Sequence, residues 1–258
     1  MAKNLAATEL YRTSRAHRCL MRIANYDQTL SKFGLEKLKT RVDLCLDSHG
    51  NMATNRDGGL ASGPPPVNAL FRLVERWRVS EYTIGELFNA WQQTKLELSN
   101  LESVHNRSSL TIGPRRYMTE VESIGELQEN CGILAGAIFV SLSNLLQRFA
   151  KDLEIKQNSS TNCIHSQNEF YAVVISAANN FRHYDEWAAL SESKGKPKRS
   201  IDPLCDFLGI PKGPPDARPS ITTNVCSPVL EKLSNGSADT LHTALFEFAK
   251  NAANYKGL

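Results

Sequence analysis

The fold is decided by the stretch Cys131-Gly-Ile-Leu-Ala-Gly-Ala-Ile-Phe-Val-Ser-Leu-Ser-Asn-Leu-Leu146, which carries no charged side chain. A helix that is apolar on all sides belongs in the centre of a protein. As a helix the stretch rises roughly 24 Å, which is less than a hydrocarbon core of about 30 Å. The polar side chains of Ser141, Ser143 and Asn144 also weaken the case for a membrane span. We therefore interpret the stretch as a buried core helix, with no membrane as partner.

Two glycines in this stretch, Gly132 and Gly136, are spaced four residues apart and so share one helix face. Small residues at this spacing allow the backbone of a neighbouring helix to approach closely. The sequence therefore predicts a tightly packed second helix against this face.

Amphipathic segments flank the central stretch on both sides. Ser80 is a predicted N-cap that separates two helices, and Ser227-Pro228 is a predicted N-cap followed by proline at the first helical position. No long run of strand-like alternation is present, so we predict a single all-α domain, 1–258, built as a bundle of about seven helices around the central apolar helix. The predicted helices cover 6–33, 35–46, 67–79, 80–104, 117–156, 168–191, 227–233 and 238–255.

Two stretches rich in glycine or proline interrupt the helical pattern. Residues 48–66 contain Gly-Pro-Pro-Pro, and residues 192–224 contain five prolines after a lysine-rich run. We predict mobile loops in both stretches, with a short helical piece at 203–208 in the second.

Composition excludes several classes of protein. Thirty Lys and Arg against 27 Asp and Glu leave a formal charge of +3, which is too small to indicate nucleic-acid binding by net charge alone. Six cysteines form no Cys-x-x-Cys pair, and the first residues lack the apolar run of a secretory signal, so we expect a cytoplasmic protein without a disulfide framework. No ligand spacing or phosphate-binding loop indicates a metal or a cofactor.

The densest polar cluster is Asn179-Asn-Phe-Arg-His-Tyr-Asp-Glu-Trp187. At 100° per residue, Asn179, His183 and Trp187 lie on one face. Arg182 and Glu186 form a potential ion pair on the adjoining strip. A histidine beside charged groups is suited to acid–base chemistry or to anion binding, but the same residues also serve as a packed face with a surface ion pair. We take Arg182, His183 and Glu186 as catalytic candidates and Asn179 and Trp187 as binding candidates.

The run Asn-Phe-Arg-His-Tyr-Asp-Glu-Trp resembles the polar signature helix of HEPN-type proteins, over about twenty residues. The resemblance implies a helical bundle from a bacterial toxin–antitoxin or defence system. Catalytic members are expected to separate an Arg from a His by four to six residues, whereas Arg182 directly precedes His183. A four-residue separation does occur between Arg12 and His17, in the first predicted helix.

A basic strip lies on that first predicted helix. Its members fall within an arc of roughly 120°, and few acids are near them in the sequence. Such a strip binds phosphates or an acidic partner, or it is a solvated face paired with the acidic stretch of Glu120, Glu122, Glu126 and Glu129. The members of the strip are Arg12, Arg15, Arg18 and Arg22.

Together these patterns favour a cytoplasmic, non-enzymatic binding protein of the immunity or antitoxin type, because the HEPN-like helix is present without its catalytic spacing. Its partner would be a protein, such as a toxin, or RNA. The alternative is a metal-independent ribonuclease of the HEPN type. The sequence does not specify an oligomeric state.

Overall fold

The computed structural model describes residues 26–36, 65–108, 113–153, 169–192, 195–214 and 217–255. These ranges contain seven helices and no strand, which confirms the predicted all-α bundle. The helices are α1 (Tyr26–Lys32), α2 (Pro65–Ser108), α3 (Pro114–Asp152), α4 (Glu169–Ala188), α5 (Lys196–Leu208), α6 (Cys226–Ser234) and α7 (Ala238–Tyr255). Most of the predicted helix at 35–46 and most of the predicted loop at 48–66 lie outside the described residues. So does the predicted basic strip of Arg12, Arg15, Arg18 and Arg22.

The central apolar stretch forms the second half of α3. Ala135, Ile138, Phe139, Leu142 and Leu146 are fully buried. This half of α3 packs against α2, α4 and α6, so it is covered on several sides as a helix of this composition requires.

Both predicted glycine positions are used for close packing. A Cβ atom on Gly136 would lie 2.1 Å from Cδ2 of Phe181 on α4, and one on Gly132 would lie 2.8 Å from Nδ2 of Asn224. Because real Cβ atoms do not approach neighbours so closely, only glycine admits these contacts without a shift of the packed groups. The predicted close approach of a neighbouring helix is confirmed.

Helix α3 is the one described helix that is long and apolar enough to cross a membrane, by length and composition alone. Half of its most apolar window is buried inside the protein. Core helices of water-soluble proteins also have this property, so the helix is only weak support for a span.

Helix α2 is continuous where the sequence predicted a break. The predicted N-cap Ser80 lies in its interior, and the Ser80 hydroxyl donates a hydrogen bond to the carbonyl oxygen of Arg76 at 2.9 Å. This bond to the preceding turn satisfies the hydroxyl inside a helix, so a serine does not require a helix start. The helix begins at Pro65, where a proline is tolerated because the first-turn N–H groups have no intrahelical partner.

Two further predicted boundaries are wrong. Helix α5 occupies 13 residues of the stretch predicted as an irregular loop, well beyond the short helix expected at 203–208, and Pro203 lies inside it. Helix α6 begins at Cys226, so Ser227 is not its N-cap. The Ser227 hydroxyl instead accepts a hydrogen bond from Nε1 of Trp91 at 3.0 Å. The mobility predicted for 192–224 stays a prediction.

The α2–α3 hairpin divides into two regions, which we call the body and the arm. The arm comprises residues 96–108 of α2 and 113–130, which include the start of α3, and none of its described side chains is buried. The body comprises the remaining described residues and holds the whole buried core. The α3 part of the arm is about 25 Å long. Close to this boundary, α2 is joined to the rest of the body by the ion pair between Lys95 and Glu231 of α6 and by the hydrogen bond from Gln92 to the carbonyl oxygen of Gly236, in the turn between α6 and α7.

Candidate functional site

The predicted polar cluster on α4 separates into structural and exposed members. Trp187 is only 3% exposed and belongs to the core. Nδ2 of Asn179 donates a hydrogen bond to Oγ of the buried Ser200 at 3.0 Å, which joins α4 to α5. Asn179 and Trp187 therefore both make packing contacts, and their binding role stays a prediction.

The three catalytic candidates lie on the outside of α4. Arg182 and Glu186 are exposed, and His183 is half-buried. The predicted ion pair between Arg182 and Glu186 is not formed, because Glu186 lies beside His183 instead. Nδ1 of His183 and Oε1 of Glu186 are 3.1 Å apart, at an angle that does not make a hydrogen bond. The arrangement offers charge at a surface, without the converging donors that stabilise a transition state.

Asn180, which the sequence analysis did not single out, is the polar anchor of this region. It is fully buried, and its side-chain amide donates to the carbonyl oxygen of Thr223 at 3.0 Å and accepts from the backbone N–H of Val225 at 2.9 Å. These bonds pair two backbone polar groups of the segment that leads into α6, the carbonyl oxygen of Thr223 and the N–H of Val225. The available signal was its position three residues after the apolar Ala177, which places Asn180 on the core face of α4.

The cysteines in the described ranges are not nucleophile candidates. Burial raises the pKa of Cys226 to about 12, and burial also raises the pKa of Cys131 and of Cys205. A thiol with a raised pKa carries little thiolate at neutral pH and reacts slowly. In the same ranges, no group of three or more His, Cys, Asp or Glu side chains is placed to hold a metal ion.

The structure assembles one cluster on the arm that the sequence did not predict. Nδ1 of His105 on α2 lies 3.0 Å from Oε2 of Glu120 on α3, and Nε of Arg116 donates to Oε1 of the same carboxylate at 3.0 Å. The ring of Tyr117 packs against the His105 ring at 4.9 Å between centroids. The hydrogen bond from His105, followed by that from Arg116, lowers the pKa of Glu120 below its usual range. The cluster joins the two helices of the arm close to its tip.

Two open grooves lie along the hairpin. The groove on the body encloses about 710 Å³ and is lined by residues that include Arg76, Ser141 and Arg148. The groove on the arm encloses about 490 Å³ and is lined by three carboxylates, Glu97, Glu120 and Glu126, among polar and leucine side chains. Neither groove includes the α4 candidates.

Apolar exposure is concentrated on the arm. Of the eight large hydrophobic side chains that the described ranges expose, five belong to the arm. Contiguous exposed apolar surface that is rimmed by polar residues is typical of an interaction site. The five are Leu96 (65% exposed), Val104 (49%), Tyr117 (41%), Met118 (55%) and Val121 (40%).

Comparison of the chain with protein-family models, with curated proteins and with solved structures finds no match. The HEPN resemblance drawn on Asn180–Trp187 therefore stays a prediction.

Proposed function

We propose that this protein is a non-enzymatic binding protein that acts in the cytoplasm as the immunity or antitoxin-like partner of a protein, such as a toxin, in a bacterial conflict or defence system. One observation carries the binding role: a helical arm projects from the body and exposes five large apolar side chains between carboxylates. Exposing such side chains to water is unfavourable unless a partner covers them. The conflict or defence setting is taken from the HEPN resemblance alone.

The state of the α4 cluster favours recognition over catalysis. Two of its five members, Asn179 and Trp187, are held in packing contacts, and the remaining three lie on an open helix surface. General acid–base catalysis depends on groups that are held around the substrate within hydrogen-bond reach. Arg182 and His183 are better suited to a polar contact at the rim of an interface.

The second candidate function is metal-independent RNA cleavage. It is favoured by the adjacency of an exposed arginine and a half-buried imidazole, which would bind a phosphate and transfer a proton. In that case His183 would be the acid–base residue.

Incubation of the purified protein with total RNA in the presence of EDTA separates the two functions. We expect intact RNA with the wild-type protein and with His183→Ala. Cleavage by the wild-type protein that is abolished in His183→Ala would establish the ribonuclease and end the binding proposal. If the RNA stays intact, co-expression with the product of an adjacent gene is expected to yield a stoichiometric complex that survives gel filtration.

A further inference from the structure

One face of α3 is covered in the body and uncovered on the arm. Gly132 and Gly136 lie under Asn224 and Phe181, respectively. Gly125 precedes them by seven and eleven positions, which places all three glycines within about 20° of one direction around the helix. A Cβ atom on Gly125 would meet nothing within 4 Å. The face that receives α4 and the chain leading into α6 therefore continues along the arm, where none of the described residues covers it.

The uncovered part of this face is apolar. Met118 and Val121 lie seven and four positions before Gly125, so they share its direction, and they are 55% and 40% exposed. On the neighbouring helix, Glu102 borders the same side, because Nε2 of Gln128 donates to its carboxylate at 3.2 Å. We call the surface formed by Met118, Val121, Gly125, Gln128 and Glu102 the arm face.

The arm face continues an interface that already exists within the protein. Lys95 lies seven positions before Glu102, so both project from the same side of α2, and Lys95 forms an ion pair with Glu231 of α6. Helix α6 thus packs on the side of the hairpin that the arm face extends. The geometry of a helix lying on the α2–α3 pair is therefore already present in the body.

Among the side chains that the structure describes, the charges along the arm face are negative. Glu122 and Glu129 are exposed and lie at its edge on α3, and Glu102 lies at its edge on α2. The cation on this side nearest to the body, Lys95, is engaged by Glu231. Because like charges repel, a second copy of the arm would be disfavoured here, whereas Lys or Arg side chains on a partner would be attracted.

We infer that the arm face binds an amphipathic α-helix of a protein partner, whose apolar stripe covers Met118 and Val121 and whose Lys or Arg flanks meet Glu102, Glu122 and Glu129. Gly125 leaves room for a side chain of the bound helix, as Gly136 does for the Phe181 ring of α4 in the body. This inference rests on the proposed binding function and specifies the chemistry of its partner.

The test uses the full-length protein and two synthetic helical peptides that share a leucine stripe. One carries lysine flanks and the other carries glutamate flanks, and fluorescence anisotropy measures the binding of each. We expect the lysine peptide to bind and the glutamate peptide not to bind. Gly125→Leu should raise the Kd of the lysine peptide by about tenfold or more, because the added side chain separates the apolar surfaces. Reversing Glu122 and Glu129 to Lys should exchange the preference between the peptides.

Gly85→Leu is the matched control. Gly85 occupies the same Ile-Gly-Glu-Leu sequence on α2 in the body, and a Cβ atom there also meets nothing within 4 Å. It should leave peptide binding unchanged, and thermal melting should show that both glycine variants are folded.

Besides the absence of peptide binding, three results would overturn the inference. The first is equal binding of the two peptides, and the second is lysine-peptide binding that neither Gly125→Leu nor the charge reversal changes. The third is a wild-type dimer in light scattering that Gly125→Leu converts to a monomer, which would assign the arm face to a second copy. RNA cleavage would defeat the proposed function itself, whereas absent peptide binding with intact RNA would defeat only the inference about the arm face.

Discussion

The tetrapeptide Ile-Gly-Glu-Leu occurs in the body at Ile84–Leu87 and in the arm at Ile124–Leu127. Both copies are helical, yet Ile84 is 1% exposed in the core, whereas Ile124 is only half-buried and lies outside it. In the body, further helices pack on the α2–α3 pair, whereas on the arm none of the described side chains of the two helices is buried. The same local sequence therefore gives the same secondary structure, but the number of covering helices decides how much it contributes to stability.

The largest effect is expected from a charge in the centre of the body. Ala135 is fully buried in α3, so Ala135→Arg would place an unpaired guanidinium in the core. We expect loss of the folded state, since such a change costs several kcal/mol. Far-ultraviolet circular dichroism and thermal melting would detect it, with Asn100→Arg on the exposed surface of the arm as the control. A folded Ala135→Arg variant, or wild-type protein found only in membranes, would contradict a buried core helix.

The two isoleucines of the repeated tetrapeptide give the next effect. Ile84→Ala removes methylene groups from a fully packed site and should lower the free energy of unfolding by about 3 kcal/mol. Ile124→Ala should cost less than about 1 kcal/mol, because this side chain keeps partial contact with water in the folded protein. Urea denaturation of both variants gives the difference directly. Equal costs would show that the arm has a core of its own.

Acid should destabilise the body through His242. This side chain is 4% exposed and packs against Trp77, and neither of its ring nitrogens has a hydrogen-bond partner. Burial lowers the pKa of His242 to about 4, and Lys32 acts in the same direction whereas Asp239 opposes it. The unfolded chain therefore binds a proton that the folded protein does not, and this difference exists between pH 6.5 and about 4.

Stability due to this group is accordingly complete above pH 6.5 and falls by up to about 3 kcal/mol as the pH drops towards 4. Urea denaturation at a series of pH values measures this slope. In His242→Leu the part of the slope due to this residue should disappear. If the variant and the wild-type protein show the same acid dependence, His242 is not buried in its neutral form.

The central helix was predictable from sequence because an uncharged helix that is apolar on all sides is stable only when other elements of the protein bury it. Helix α5 was predicted only over 203–208 because its lysines and prolines obscure a short apolar stripe of Ile201, Leu204 and Cys205, which are buried where α5 packs against α4 and α6. Serine is favoured at helix N-caps, but Ser80 and Ser227 both lie inside helices.

The proposed binding surface was less predictable because it depends on relations between distant segments. His105 meets Glu120 only because the register of α2 against α3 brings them together across the tip of the hairpin. Met118 and Val121 are exposed because the other described helices end before they reach the arm. The local sequence of α3 does not indicate where those helices end. The sequence did indicate the α4 cluster, but it did not show that Asn179 and Trp187 are used in packing.

Hydrogen–deuterium exchange on the full-length protein tests the contrast between body and arm most directly. Backbone amides of α3 in the body, such as those of Ile138 to Leu142, should exchange only through global unfolding, because they lie in the buried core. Amides of the arm, such as those of Val121 to Leu127, should exchange through local opening. The free energy of opening at these amides should be lower than in the body by several kcal/mol. Equal protection of the two regions would contradict the account, since it would make the arm part of one cooperative core.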